Sequence, residues 1–256
     1  MAWKGRFEER GSALCVGLDP AGQLPEGLSV EQFCLGAIEA TAEFAACVKP
    51  NAAFFERHGP AGMESLVRVV AAARERGLPV ILDAKRGDVP GTARAYAEAY
   101  FGGPFDCDAL TVNPSLGLDA VAPFAERARE RDRGVLLLLR TSNPGAALFQ
   151  EAMEPALVEA IRAEPAFGAV VGATDPAVGA RLRAALPDTL FLVPGFGAQG
   201  GNEVACFFTP AGTGAVVSSS RGILYAGAGR PWPEWKEAMR EAARAAHATI
   251  ERARKR

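Results

Sequence analysis

The sequence predicts an α/β fold, a single-domain (β/α)8 (TIM) barrel spanning residues 1–256, on three observations. The length suits such a barrel, which runs to roughly 250 residues. Eight apolar, β-prone runs alternate with helix-forming stretches, the pattern of a parallel sheet. Polar residues recur at the C-terminal ends of those runs, where parallel barrels carry their chemistry.

The strand runs are residues 13–18, 45–49, 79–85, 109–113, 134–140, 169–173, 190–195 and 215–219. The fifth contains Val135-Leu136-Leu137-Leu138-Leu139, a continuous apolar run expected of a strand covered on both faces. Helical composition or periodicity marks residues 31–43, 62–77, 92–100, 118–133, 150–164, 175–186 and 233–255, with a weaker helix at 199–210. The last of these packs on the barrel and ends in a basic tail, read as a solvated helix end with cations near the C-terminal dipole. Eight units favour a closed barrel. An open doubly wound sheet is the alternative, because strand order is not written in sequence. No Gly-x-Gly-x-x-Gly follows the first run, which weakens a dinucleotide-binding reading.

Composition excludes several classes. A net charge of −2 carries no general nucleic-acid or membrane signal, so phosphate binding needs a local site. No apolar run approaches the roughly 18 residues of a membrane span, and the N-terminus lacks an apolar signal core, so the chain reads as cytoplasmic. The five cysteines form no Cys-x-x-Cys and read as small buried hydrophobes. Two histidines, His58 in a loop and His247 in the helical tail, argue against a zinc site and against a Ser-His-Asp triad.

The most informative stretch is Ile81-Leu82-Asp83-Ala84-Lys85-Arg86-Gly87-Asp88. Strand alternation puts Asp83 and Lys85 on one face. Charges on the inner face of a buried strand are costly unless paired or used. Only five of the 28 Lys and Arg residues are lysine, and lysine, unlike arginine, readily gives up a proton. Its retention at position 85 suggests proton chemistry; a structural ion triplet tying down a strand end is the competing reading. Lys49 ends the second run and Asp19 follows the first. With Asp83 and Asp88 the two lysines form an alternating network that keeps ammonium and carboxylate groups charged. A lysine held as a cation is a proton donor or clamp and a poor Schiff-base nucleophile.

The seventh run leads into Pro194-Gly195-Phe196-Gly197-Ala198-Gln199-Gly200-Gly201, and Arg221 follows the eighth. Glycines there admit an anion close to backbone N–H groups, Arg221 adds a bidentate cation, and Gln199 an amide donor. Loops after strands seven and eight are the usual phosphate site of such barrels.

Six motifs in this order resemble the orotidine 5′-phosphate decarboxylase family, in its longer bacterial (type 2) subgroup. They are Gly17-Leu18-Asp19-Pro20, Val48-Lys49-Pro50-Asn51 with Ala53-Phe54-Phe55-Glu56, Asp83-Ala84-Lys85-Arg86-Gly87-Asp88 with Thr92, Thr111-Val112-Asn113-Pro114, Arg140-Thr141-Ser142-Asn143-Pro144-Gly145, and the Pro194–Gly201 stretch. The resemblance implies decarboxylation of orotidine 5′-phosphate to UMP in pyrimidine biosynthesis by a homodimer that uses neither cofactor nor metal. It implies catalytic Lys85, Asp83, Asp88 and Lys49, with Lys85 as proton donor to C6 and Asp83 beside the departing carboxylate. Substrate is bound by Asp19, Thr92, Ser142, Pro194, Gln199, Gly201 and Arg221. Of these, Asp19 holds the ribose with Lys49, Ser142 the pyrimidine, and Gln199, Gly201 and Arg221 the phosphate. The resemblance also implies that Asp88 and Thr92 come from the partner subunit. The chain departs from the family pattern at Val89-Pro90-Gly91, where small residues are expected, and at Ser115, where an aromatic is expected. Alternatives are a magnesium-dependent phosphosugar decarboxylase or synthase of the same suprafamily, a Schiff-base aldolase, and a non-catalytic nucleotide-binding barrel.

Overall fold

The computed structural model describes residues 2–197 and 203–255. Eight strands form one sheet: β1 (Leu14–Leu18), β2 (Cys47–Pro50), β3 (Ile81–Arg86), β4 (Ala109–Val112), β5 (Gly134–Arg140), β6 (Phe167–Val171), β7 (Phe191–Val193) and β8 (Ala215–Ser219). All neighbours pair in parallel, in the order β2-β1-β8-β7-β6-β5-β4-β3. Two isolated parallel bridges, Val48 with Val80 and Asn51 with Asp83, join the outer strands β2 and β3. The sheet therefore closes on itself, which excludes the open doubly wound alternative.

Around it lie α1 (Val30–Thr41), α2 (Ala53–Glu56), α3 (Gly59–Glu75), α4 (Pro90–Tyr100), α5 (Leu118–Arg131), α6 (Ala147–Ala163), α7 (Pro176–Ala185), α8 (Arg221–Leu224) and α9 (Trp232–Arg254). Their starts follow capping chemistry. Ser29 and Gln32 make a reciprocal capping box on α1. Asp175 accepts from the Val178 N–H at the start of α7. Pro60, Pro90 and Pro176 sit in first turns, where a missing N–H costs nothing. This is why α3 and α4 begin ahead of residues 62 and 92, where periodicity first becomes visible, and why His58 stands at the start of α3 instead of in an open loop. The weak helix at 199–210 is reduced to a 3-10 turn, Ala205–Phe207; residues 199–202 of that expectation lie outside the described residues. No described helix is long and apolar enough to cross a membrane.

Strand alternation sorts the apolar runs into two cores. Along β5, Leu136 and Leu138 point into the barrel while Val135, Leu137 and Leu139 pack under the helices. Cys15, Cys47, Ile81, Ala109, Val170, Leu192 and Val216 complete the interior. The barrel is sealed at the N-terminal ends of its strands by a 3-10 turn, Ala2–Phe7, whose Trp3 and Phe7 are buried. Trp3 fits because Gly134 and Gly168 leave room: a Cβ on Gly134 would stand 2.3 Å from the indole. The indole N–H donates to the Pro165 carbonyl at 3.2 Å. Nothing in the periodicity marked this plug, because it is only six residues long.

Trp3→Ala should lower the unfolding free energy by about 3–5 kcal/mol, the cost of an unfilled aromatic site in a core. Urea unfolding checks this; a loss below about 1 kcal/mol would show that the plug is dispensable.

Candidate active site

At the C-terminal ends of the strands an open cavity of about 380 Å³ is lined by Lys49, Asp83, Lys85, Thr111, Thr141, Ser142, Asn143, Gln150 and Pro194, over Leu138, Val170 and Leu192. Charges from three strand ends alternate along it. The Lys49 ammonium lies 2.9 Å from Asp83 Oδ2 and 3.9 Å from Asp19 Oδ1. The Lys85 ammonium donates to Asp83 Oδ1 at 2.6 Å. Lys49 and Asp83 are 4% and 8% exposed, whereas the Lys85 side chain is 48% exposed. The first two groups are therefore a fixed base, and Lys85 is the charge offered to a ligand.

Burial alone would push Lys49 down, yet Asp19 and Asp83 reverse it and hold the ammonium above the ordinary lysine range. Burial alone would raise Asp83, yet Lys49 and Lys85 hold its carboxyl well below the usual range. Because the folded Asp83 value is depressed, its contribution to stability is complete above about pH 4 and is lost as pH falls below that. The Lys49 contribution runs the other way: complete below about pH 10 and lost above it.

Lys85 reaches Asp83 by a different route from simple alternation. Leu82 pairs with Leu110 and Arg86 with Val112, so three residues of β3 oppose Thr111 alone. Lys85 occupies the left-handed region at φ 47°. The bulge ends regular pairing and aims the lysine into the cavity. Thr111 Oγ1 accepts from the Lys85 N–H at 2.9 Å and donates to Asp83 Oδ1 at 3.1 Å.

The structure thus brings together Lys49, Asp83, Lys85 and Asp19, with Ser142 and Pro194 on the cavity wall. It does not bring in Asp88, whose carboxylate accepts from the Val89 N–H at 2.8 Å, or Thr92, exposed in the first turn of α4. Arg221 is exposed at the start of α8, beyond the β8 end. Gln199 and Gly201 lie outside the described residues. Several wall residues carried no expected role, Thr111 and Gln150 among them. Thr111 looks like any β-branched strand residue. Gln150 acts through loop closure, its amide accepting from the Thr141 N–H at 2.8 Å and donating to Thr141 Oγ1 at 2.9 Å.

A larger groove, about 1320 Å³, opens elsewhere, along the segments before β7 and β8 and the end of α9. Its buried charge, Arg183, is already committed. The guanidinium donates to the carbonyls of Phe207, Leu186, Thr189 and Gly214 and lies 3.7 Å over the Phe191 ring. Burial pushes Arg183 down to about 10. With its donors engaged it ties strand approaches together, which leaves the smaller cavity with the lysines as the candidate site. Among the described residues no cluster of three or more His, Cys, Asp or Glu side chains is placed to hold a metal.

Fold and site together define a (β/α)8 barrel with a lysine–carboxylate chain at the mouth. Residues 12–228 match the model of the Orotidine 5′-phosphate decarboxylase / HUMPS family. A curated orotidine 5′-phosphate decarboxylase of Deinococcus radiodurans is 44% identical over 239 residues, covering 86% of this chain and 87% of that protein. That of Rhodopirellula baltica is 43% identical over 256 residues, covering 84% of each. The solved structure of Leishmania donovani OMP decarboxylase superposes with a TM-score of 0.84 at 35% identity, covering 99% of each chain. The chain belongs to the orotidine 5′-phosphate decarboxylase / HUMPS family.

Lys49→Met should cost roughly 3–5 kcal/mol at neutral pH, because it strands buried carboxylates. Adding Asp83→Asn should return part of that loss. Chemical unfolding of the two single variants and the double variant checks this; additive losses would contradict the pairing.

Proposed function

We propose that this chain decarboxylates orotidine 5′-phosphate to UMP and carbon dioxide in pyrimidine biosynthesis, with Lys85 giving the proton to C6. The observation that carries the reading is the Lys85 ammonium, half exposed in the cavity and held at 2.6 Å by a buried carboxylate. Breaking the C6–carboxylate bond leaves the electron pair in the ring plane, where no π system spreads it. A fixed cation at that carbon favours the transition state over the ground state, in which the charge lies on the carboxylate. The pair then takes a proton from Lys85, which regains one from water through its exposed side. Asp83 stands beside the departing carboxylate, and the apolar floor of Leu138, Val170 and Leu192 suits neutral carbon dioxide.

The remaining roles follow the family's. Asp19 and Lys49 hold the ribose; their charged groups already face each other at 3.9 Å. Ser142 and Pro194 border the pyrimidine, and Gln199, Gly201 and Arg221 take the phosphate. One domain, residues 1–256 with the last helix packed on the barrel, carries the reaction without cofactor or metal, in the cytoplasm.

The active form is a homodimer with shared sites, in which Asp88 and Thr92 reach the neighbour's cavity. Supporting this, the large exposed hydrophobics among the described residues are Val89, Leu116, Leu118, Leu148 and Phe149. All lie on the segments following β3, β4 and β5, at the mouth end. Large apolar side chains exposed on three successive loops beside a site are the kind of surface that a partner would cover.

Lys85→Ala should cut turnover by at least about 10³-fold while UMP binding stays within tenfold. Near-normal turnover would overturn the proton-donor reading. Mixing inactive Lys85→Ala with inactive Asp88→Ala subunits in equal amounts should restore about a quarter of wild-type activity, from the one intact site of each hybrid dimer. No recovery after verified subunit exchange would place Asp88 in its own chain's site.

A further inference from the structure

We propose that Thr111 is a positioning residue for proton transfer, its single hydroxyl holding both ends of Lys85 and so fixing where the ammonium points. The inference rests on Lys85 being the proton donor. Thr111 occupies the inward position of β4 opposite the bulge and is 1% exposed. Buried inward strand positions ordinarily take apolar residues, and a hydroxyl there is costly unless it is hydrogen-bonded. This hydroxyl is engaged both as donor and as acceptor. It accepts the Lys85 backbone N–H at 2.9 Å and donates to Asp83 Oδ1 at 3.1 Å. The same carboxylate oxygen accepts the Lys85 ammonium at 2.6 Å. Lys85 main chain, Thr111, Asp83 and Lys85 side chain thus form a closed ring.

The ring solves a local problem. A left-handed conformation is unfavourable for lysine and persists only when its surroundings over-determine it. In the bulge the Lys85 N–H leaves the regular ladder between Leu82 and Arg86. Thr111 Oγ1 supplies an acceptor at that point, and its proton simultaneously anchors the Asp83 oxygen that steers the ammonium. Valine has the same shape and would fill the same space, but it would release both the backbone of Lys85 and one hold on Asp83. The consequence falls on chemistry more than on binding, because the ribose, base and phosphate contacts lie on other residues.

The test compares Thr111→Val and Thr111→Ser with wild type and Lys85→Ala, reading kcat per active site, KM and thermal melting. Thr111→Val should lose about tenfold or more in kcat with KM within about threefold, as expected when a reacting group is misplaced. Thr111→Ser, which keeps the hydroxyl, should stay within about threefold of wild type in kcat. A threonine of purely structural importance would lower melting temperature and active fraction and leave kcat per active site unchanged, which would overturn the proposal. So would an unimpaired Thr111→Val, or a folded Thr111→Ser as slow as Thr111→Val. If Thr111→Val does not fold, Thr111→Ala replaces it in the same comparison. An active Lys85→Ala would instead refute the proton-donor reading on which the proposal stands.

Discussion

The buried ion pair between Lys49 and Asp83 is the constraint around which the mouth of this barrel is arranged. Each of these charges is costly to remove from water, and neither is tolerable there alone. Their pairing at 2.9 Å also has a position in the topology. It crosses the β2–β3 seam, where only isolated bridges replace a continuous ladder. Elsewhere the strands are held by regular backbone pairing. At the seam a side-chain pair, helped by the Ala52 N–H donating to the Asp83 carbonyl at 3.1 Å, takes over part of that task. The loosened ladder on one side of β3 and the bulge on its other side give Lys85 room for a conformation that a regular strand denies it.

Stability and chemistry are separated along the barrel axis. The end sealed by Trp3 and Phe7 is dry, and its glycines at 134 and 168 are fitted to the indole. Midway, Leu138, Val170 and Leu192 form an apolar floor. Above it lie the paired charges, with the pair itself buried and its outer lysine exposed. This gradient puts a cation in a partly desolvated site, where its effect on a developing carbanion is larger than in water. It also keeps the Lys85 ammonium in contact with solvent, the source of a replacement proton for the role proposed for it.

Much of this was legible in the sequence, for physical reasons that differ by element. Apolar runs separated by helical stretches are strong signals, so the eight strands followed from them; closure was favoured over an open sheet but rested on the strand order that only the structure gives. Lys49, Asp83 and Lys85 stood out because charges at the ends of apolar strands demand an explanation. The bulge did not stand out: Ile81-Leu82-Asp83-Ala84-Lys85 reads as plain alternation, and its three-against-one register depends on β4. Thr111 is invisible for a related reason, since threonine is an ordinary strand residue until its partners are known. Trp3 was hidden in a turn too short for any periodicity, and Gln150 acts only once the segment after β5 folds back onto α6. Asp88 illustrates a further limit. It sits five residues from Asp83, yet within one chain it joins no part of the lysine network, which motif spacing alone could not disclose.

The most direct measurement follows the ultraviolet absorbance of orotidine 5′-phosphate mixed with the purified protein in EDTA. If the lysine–carboxylate chain performs the reaction unaided, the spectrum converts to that of UMP at an undiminished rate with the chelator present. An unchanged spectrum from folded protein, or conversion only after a divalent metal is restored, would contradict that account.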